Sequence, residues 1–443
     1  MKVLDSKTFE QYTKEVFKSL LADETLSINL VAEETSFNRL SNAKVRQTTN
    51  ITQGNTDFTF ISGKKNLSFS LPYSGETKDL ELALKEIAKK REWLKAIPED
   101  PFIVYPENLG SSHQELVANM PASLEMLNAI LEYAKDVDLA GVFTSGAMVR
   151  ANINSKGQFH WFKTANFCLD YSLYNEKQKA VKSLFAGNEW DLNKMQASLD
   201  LAKAQLKLMD LPVKEVPRGE YRVYLAPSAV HELLGTLSWG GMSMQYFKSG
   251  NGSFDEYWNQ KAKLSDKFSL TEDFTLGLSP KFNSMGEVAP SKLELFKNGE
   301  MKNYLTSTRT SKEYNVEGNF AGEWEGLRSP TIATGNLSLT DVLKELGTGL
   351  YISDLHYINW SDRQAGRVTG MTRYACFWVE NGEIKAPIKD LRFDESYHNI
   401  FGEKLIDCTN EANLIVSTGT YEQRDIGGAK LPGMLLSGFK FTL

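Results

Sequence analysis

Two hydrophobic rhythms succeed one another along the chain, and their order sketches a fold. Apolar residues at helical spacing predict an amphipathic helix over residues 9–22. From Leu26 to Leu71 the period shortens. Val45, Phe58, Phe60, Leu67, Phe69 and Leu71 are spaced for half-buried pleats, and Gly54, Asn55 and Gly63 supply turns, so several strands are expected. A helix from about Asp79 to Ala96 follows, with Leu80, Leu84, Ile87, Arg91 and Leu94 on one face and Pro98 and Pro101 past its end. Another is predicted over 122–134, where Leu124, Leu127, Leu131 and Ala134 form a stripe behind Pro121. Val149, Ala151 and Ile153 then alternate with polar residues, Asn154 to Gly157 makes a turn, and Phe159 and Trp161 resume the alternation in a hairpin partner. Leu192, Met195, Leu199, Ala202, Leu206 and Met209 predict a helix over 191–209, ahead of Pro212.

The segment Leu211 to Arg218 (LPVKEVPR) has two prolines, alternating charges and no period, and a domain boundary is placed there. Beyond it, Tyr221 to Leu225 reads as a strand, Pro227 to about Trp239 as a helix, and most of the rest as strands between Gly, Asn and Ser turns. The expectation is an α+β protein of two domains: residues 1–213 mixing helix and sheet, and residues 214–443 rich in β structure. A length of 443 residues agrees, since a single core stops growing well before that size. No fixed-period repeat, heptad run or low-complexity tract is present.

Charge removes one class of partner. With 50 Lys+Arg against 56 Asp+Glu the net charge is −6, and no basic block could neutralise a run of phosphates, so direct nucleic-acid binding is not expected. The most apolar stretches, Leu139 to Val149 and Leu431 to Phe439, are too short to span a bilayer, and the N-terminal residues have no signal-peptide core. Cys168, Cys376 and Cys408 are odd in number and far apart, which fits a reducing compartment; a cytoplasmic protein is expected.

His231-Glu232, on the helix after Pro227, begins like a helical HExxH motif, in which a second imidazole one turn on completes two zinc ligands and the glutamate acts as base. Here that position is Gly235, and the next, which would serve a longer HExxxH spacing, is Thr236. A His-Glu pair alone more often reads as a polar pair on a helix surface. His113, His160, His356 and His398 have no ligand-spaced partner on their own elements, and His356, between Leu355 and Tyr357, reads as a packed strand residue. No serine sits in a GxSxG elbow, Cys376 in Tyr374-Ala375-Cys376-Phe377-Trp378 reads as a buried thiol, and no glycine-rich stretch has the P-loop pattern. The stretch from Tyr351 to Arg373 reads as a hairpin presenting Arg363, Arg367 and Arg373 near one end. Arginines so placed could bind a peptide carboxylate or a partner's acidic residues, or serve as solvated turn charges.

That same region, Tyr351 to Phe393, resembles the C-terminal signature of the TldD/PmbA family, whose older label is modulator of DNA gyrase. Gly286 with LELFKNGEMKNYLTSTRTSKEY resembles the family's helix, glycine turn and Tyr-Leu segment, the terminal LPGMLLSGFKF its closing strands, and Ser36 to Ala43 an early strand. The resemblance implies a two-domain cytoplasmic metalloprotease system in which a TldD-type chain holds the metal through a helical HExxxH motif and a cysteine near the C-terminus. His231 and Glu232 match the first motif, Thr236 replaces its second histidine, and Ser417-Thr418-Gly419-Thr420, where the ligand is sought, has no cysteine. This pattern points to the TldE/PmbA-like subunit, with no cofactor of its own, zinc being the metal the family's site would take. Its partners would be a TldD-type chain or a second copy of itself, and a peptide or unfolded protein. A self-sufficient peptidase borrowing His356 or Cys408, with Glu232 as base, and a binding or scaffold protein without enzymatic activity are the alternatives.

Overall fold

The computed structural model describes residues 2–442. A seven-stranded sheet and a thirteen-stranded sheet carry the fold, an α+β architecture. The first takes β1 (Glu24–Ser41), β2 (Lys44–Ser62), β3 (Lys65–Pro72), β4 (Ser112–Glu115), β5 (Asp138–Asn154), β6 (Phe159–Tyr174) and β7 (Ala180–Gly187), in the order β3-β2-β1-β5-β6-β4, with β7 also on β6. Four helices accompany it: α1 (Ser6–Phe17), α2 (Thr77–Leu94), α3 (Ser123–Tyr133) and α4 (Leu192–Leu208).

The periodic helices appear close to their expected spans, although two stripes are rotated. In α3, Met126, Leu127 and Ile130 are buried while Leu124 is 66% exposed, because the helix packs through the i, i+3, i+4 set that faces β5 and α4. In α2 the buried apolar residues are Ala83, Ile87 and Leu94, and Leu84 is turned outward. Arg91 reaches back from α2 to the buried carboxylate of Glu24 on β1, donating from Nε at 2.5 Å and Nη2 at 2.8 Å, a bidentate pair that ties helix to sheet.

Register gives the first sheet two unlike faces. On one, Ile28 lies beside Phe58 and Ile153, and Leu30 beside Ala151; with Leu26 and Ala32 they form a dry core against α1 and α2. On the other, one residue out of phase, Asn29 lies beside Asp57 and Asn152, and Val31 beside Asn55 and Arg150. The polar face therefore has to be satisfied by something other than a helix.

The second sheet takes β8 (Gly219–Leu225), β9 (Leu270–Asp273), β10 (Lys292–Lys297), β11 (Glu300–Met301), β12 (Pro330–Ile332), β13 (Gly349–Ile352), β14 (Asp354–Asp362), β15 (Arg367–Arg373), β16 (Phe377–Glu380), β17 (Glu383–Pro387), β18 (Arg392–Ser396), β19 (Leu405–Val416) and β20 (Gly428–Phe441). The LELFK segment is thus a strand, β10, rather than the helix its resemblance suggested; a two-residue Asn298-Gly299 turn returns it to β11, and the helix comes later, at Thr308–Tyr314. Helix α5 (Pro227–Ser238) lies on this sheet and buries Ala229, Val230, Leu233, Leu234 and Leu237 in its core. Among the described residues no helix is long and apolar enough to cross a membrane.

A loop from the second half meets the polar face of the first sheet. Asn152 Nδ2 and Asn29 Nδ2 both donate to the Ser284 carbonyl, at 2.9 and 2.8 Å, and Gln158 Nε2 donates to the Gly286 carbonyl at 2.7 Å. His160, buried on β6, also meets that carbonyl through Nε2 at 3.0 Å and stacks on Phe282. Gly286 has a φ of +78°, and a Cβ there would stand 2.2 Å from Gln158 Nε2 and 2.3 Å from Asn152 Oδ1. Gly286→Ala is expected to destabilise the protein by about 1–3 kcal/mol through backbone strain and a broken junction. Gly63→Ala, with a φ of +55° but nothing within 4 Å of its Cβ, should cost less, an ordering that thermal unfolding of the two variants checks.

Candidate functional site

Between the polar face of the first sheet and helix α5 lies a cleft of about 1230 Å³. The helix presents it with a stripe, because its apolar residues are spent on the second sheet. His231, Gly235 and Ser238, spaced by one turn each, line the cleft, joined by the edge of Leu234. Glu232 is not among the lining residues, and Thr236 is buried on the far side of the helix. A Cβ added at Gly235 would meet nothing within 4 Å, so that position opens onto free space.

Ser417 and Thr418 line the same cleft, as do Gly427 to Ala429 beyond them. The chain between β19 and β20 brings them there by pushing Arg424, 6% exposed, into the first sheet. The Arg424 guanidinium donates to the Gly146 carbonyl at 3.4 Å and to Asn166 Oδ1, and its backbone N–H donates to Glu33 at 3.3 Å. Gln53 adds a bond to the Glu422 carbonyl at 2.8 Å. Arg150 completes the latch by donating from Nη2 to the Arg424 carbonyl at 3.1 Å, while its Nη1 donates to the Val149 carbonyl at 2.9 Å. Burial pushes the Arg150 pKa down to about 10, against the opposing pull of Asp425 and Glu33, and Arg424 adds to the depression.

Charged groups gather at the N-terminal end of α5. Lys182 on β7 stands 3.7 Å from Asp170 on β6. Burial works against its ammonium, but Asp170, Asp354, Tyr374 and Glu232 together hold its pKa above the ordinary lysine value. Burial lowers the pKa of His231, and Lys182 lowers it further, so the imidazole is neutral at pH 7. Glu232 is exposed, yet desolvation raises its carboxyl pKa; Lys182 opposes the rise and Asp170 adds to it. Asp354, buried at the head of β14, is raised to about 7 by desolvation first and by Glu232 second, with Lys182 pulling the other way.

The three hairpin arginines do not converge. Arg367 and Arg373 are the two ends of β15, so the hairpin cannot present both near one end. Arg363 stacks over Tyr246, its Cζ 4.3 Å from the ring centre, and lies against Trp360 and Trp239. Arg367 pairs with Asp394, and Arg373 lies over Tyr374. None of them lines the cleft, whose arginines are Arg150, Arg309 and Arg328. Sequence reading missed these because each owes its place to a contact between distant segments; only the strand alternation around Arg150 hinted that it leaves the apolar face.

The donors that a lone peptidase would borrow lie elsewhere. His356 is on β14, its ring packed on Tyr357, and Cys408 is buried within β19, where desolvation raises its thiol to about 12. Cys376 is buried as well, its Sγ donating to the Arg373 carbonyl at 3.2 Å. Among the described residues no three His, Cys, Asp or Glu side chains are grouped as metal ligands. One imidazole beside a glycine and two hydroxyl residues does not fit zinc, which is held by three or four nitrogen, thiolate or carboxylate donors.

The model of the PmbA/TldA metallopeptidase C-terminal domain matches residues 218–443. The chain is similar to the metalloprotease PmbA homolog of Haemophilus influenzae, 28% identical over 306 residues, which are 65% of this chain and 64% of that one. It is also similar to metalloprotease PmbA of Escherichia coli O157:H7, 30% identical over 162 residues, 36% of this chain and 33% of that one. The chain thus aligns with less than two thirds of the length of these curated relatives. The solved structure of TldE from Thermococcus kodakarensis superposes with a TM-score of 0.79 over 98% of this chain and 100% of that one, at 16% identity, a likeness of fold.

The carboxyl of Asp354 supplies a test of the charged cluster. Its folded pKa, about 7, lies above the unfolded value of 3.8, so the folded state holds the extra proton between these limits and stability falls as pH rises through that window. Asp354→Asn removes this penalty. Its stability relative to the parent chain should be unchanged near pH 4 and should improve towards pH 7 by up to about 1.4 kcal/mol per pH unit, levelling off above. Denaturant unfolding across that range checks it; a difference independent of pH counts against the assignment.

Proposed function

Because the chain belongs to the PmbA/TldD metallopeptidase family, we propose that it is the TldE-like subunit of a two-chain cytoplasmic protease, holding peptide or unfolded polypeptide while a TldD-type partner carries the metal. The observation that carries this reading is the makeup of the cleft wall. Two segments to which the family's metal ligands were traced, the α5 helix and residues 417–418, meet in one cleft, yet offer a single imidazole. The scaffold of a metallopeptidase site is present and the coordination chemistry is not, so this chain's contribution is enclosure and grip.

The cleft suits polypeptide on physical grounds. It encloses about 1230 Å³, and one wall is a sheet face bearing Asn29, Asp57, Thr59, Asn66, Ser68 and Ser70, short side chains able to exchange hydrogen bonds with a backbone whatever its sequence. The opposite wall offers apolar surface at Leu234, Phe282, Trp324 and Leu327. The indole of Trp324 is 91% exposed, an unusual state for so large an apolar group, and it stands where a bound chain would cover it. Three free, buried cysteines suit a reducing compartment.

The test is co-production with a relative that has an intact HExxxH motif. A stable complex that cleaves an unstructured peptide is expected, and this chain purified alone from zinc-replete cells should carry far less than one zinc per molecule. Glu232→Gln in this chain should leave cleavage by the complex unchanged. Stoichiometric, tightly bound zinc in the isolated chain, or loss of cleavage with Glu232→Gln, would overturn the assignment.

A further inference from the structure

The cleft contains three arginines, and they are not in the same state. Arg309 is tied to Asp100 through a hydrogen-bonded ion pair at 2.5 Å. Arg328 donates from Nη1 to the Phe282 carbonyl at 3.2 Å and from Nη2 to the Phe320 carbonyl at 3.4 Å, with Glu272 beneath it accepting from its backbone N–H at 3.1 Å. Among the described residues, no carboxylate stands within ion-pair distance of Arg150. Its two hydrogen bonds go to the carbonyls of Val149 and Arg424, which leaves three of the five N–H donors of a guanidinium uncommitted.

Its position is built rather than incidental. Arg150 stands opposite Val31 in the centre of the sheet, between β1 and β6, on the polar face that roofs the cleft. A side chain fixed at both its strand and its guanidinium has already lost most of its rotamer freedom, so binding a ligand orders little more. The neighbouring charges balance: Arg424 stands with Arg150 against Glu33 and Asp425, and both of these act on Arg150 from beyond contact distance. Glu33 itself is occupied, accepting from Thr35 at 2.7 Å, from Gln53 and from the Arg424 backbone. A desolvated guanidinium with free donors in a cleft is a receptor for a planar anion, and the anion that every polypeptide brings is a carboxylate.

The geometry points to Arg150 as the residue that receives a carboxylate of the bound polypeptide, either the C-terminal group or an acidic side chain, and so fixes where along the cleft the polypeptide lies. This rests on the reading of the cleft as a polypeptide site.

Fluorescence anisotropy with the full chain tests it, using three labelled probes of one unstructured Gly-Ser-Ala-Leu sequence: with a free C-terminus, with an amidated C-terminus, and amidated with one internal Glu. At least one carboxylate-bearing probe is expected to bind the parent chain roughly tenfold or more tightly than the neutral probe, and which one it is tells a terminal carboxylate from a side-chain one. Arg150→Met should abolish that preference while leaving the neutral probe's affinity nearly intact, and Arg150→Lys should restore part of it. Equal binding of all three probes to the parent chain overturns the inference and leaves the polypeptide site standing. Binding of none of them overturns both. If Arg150→Met weakens the three probes equally, Arg150 is only a brace for the 417–427 loop, and the inference is again overturned; the comparison among probes on the parent chain does not depend on how well that variant folds.

Discussion

A sheet with one dry face and one polar face has to find partners for both, and in this molecule the second requirement organises everything beyond it. Helices α1 and α2 take the apolar side of β1, β2 and β5. The polar side can only be matched by groups with hydrogen bonds to give or accept, and these are backbone carbonyls of two loops from the second half, at Ser284 to Gly286 and at Glu422 and Arg424, together with the Arg424 guanidinium, which donates to the Gly146 carbonyl of the sheet. Loops docked in this way touch the sheet at points, not across its area. What lies between the points is the cleft, and α5 faces into it because its apolar residues are already committed to the other sheet.

Helix α5 and the segment around residue 418 owe their places in the cleft to packing and to hydrogen bonds. Positions 231, 235 and 238 form a single stripe on the cleft side, and the loop that brings in Ser417 and Thr418 is held by a buried guanidinium. Each part is fixed by packing or by satisfied polar groups. Gly235 and the two hydroxyl residues therefore stand where they do for reasons of folding, and nothing about their placement requires a metal.

Much of the fold was legible in the chain, and the pattern of failures is physical. Long periodic segments, the Asn154 to Gly157 hairpin and the α5 helix follow from local spacing, and local spacing survives folding. Leu124 was set on the buried face of α3 because one stripe of leucines is regular, but Met126 and Ile130 make a second stripe, and only the position of α4 decides between them. Arg363, Arg367 and Arg373 looked clustered because they are near in sequence; a strand of seven residues separates the last two in space. The His231 segment and the 417–420 segment were singled out from the sequence, by motif and by resemblance, yet their meeting in one cleft with Arg150 depends on β pairings more than a hundred residues apart, which no local signal encodes.

The loop that carries Arg424 has a mechanical meaning. Drawing the two walls of the cleft apart would drag a guanidinium out of a sealed seat in the first sheet, away from Gly146, Asn166 and the line of Glu33. Such a seat resists gradual loosening: it is filled or it is vacated.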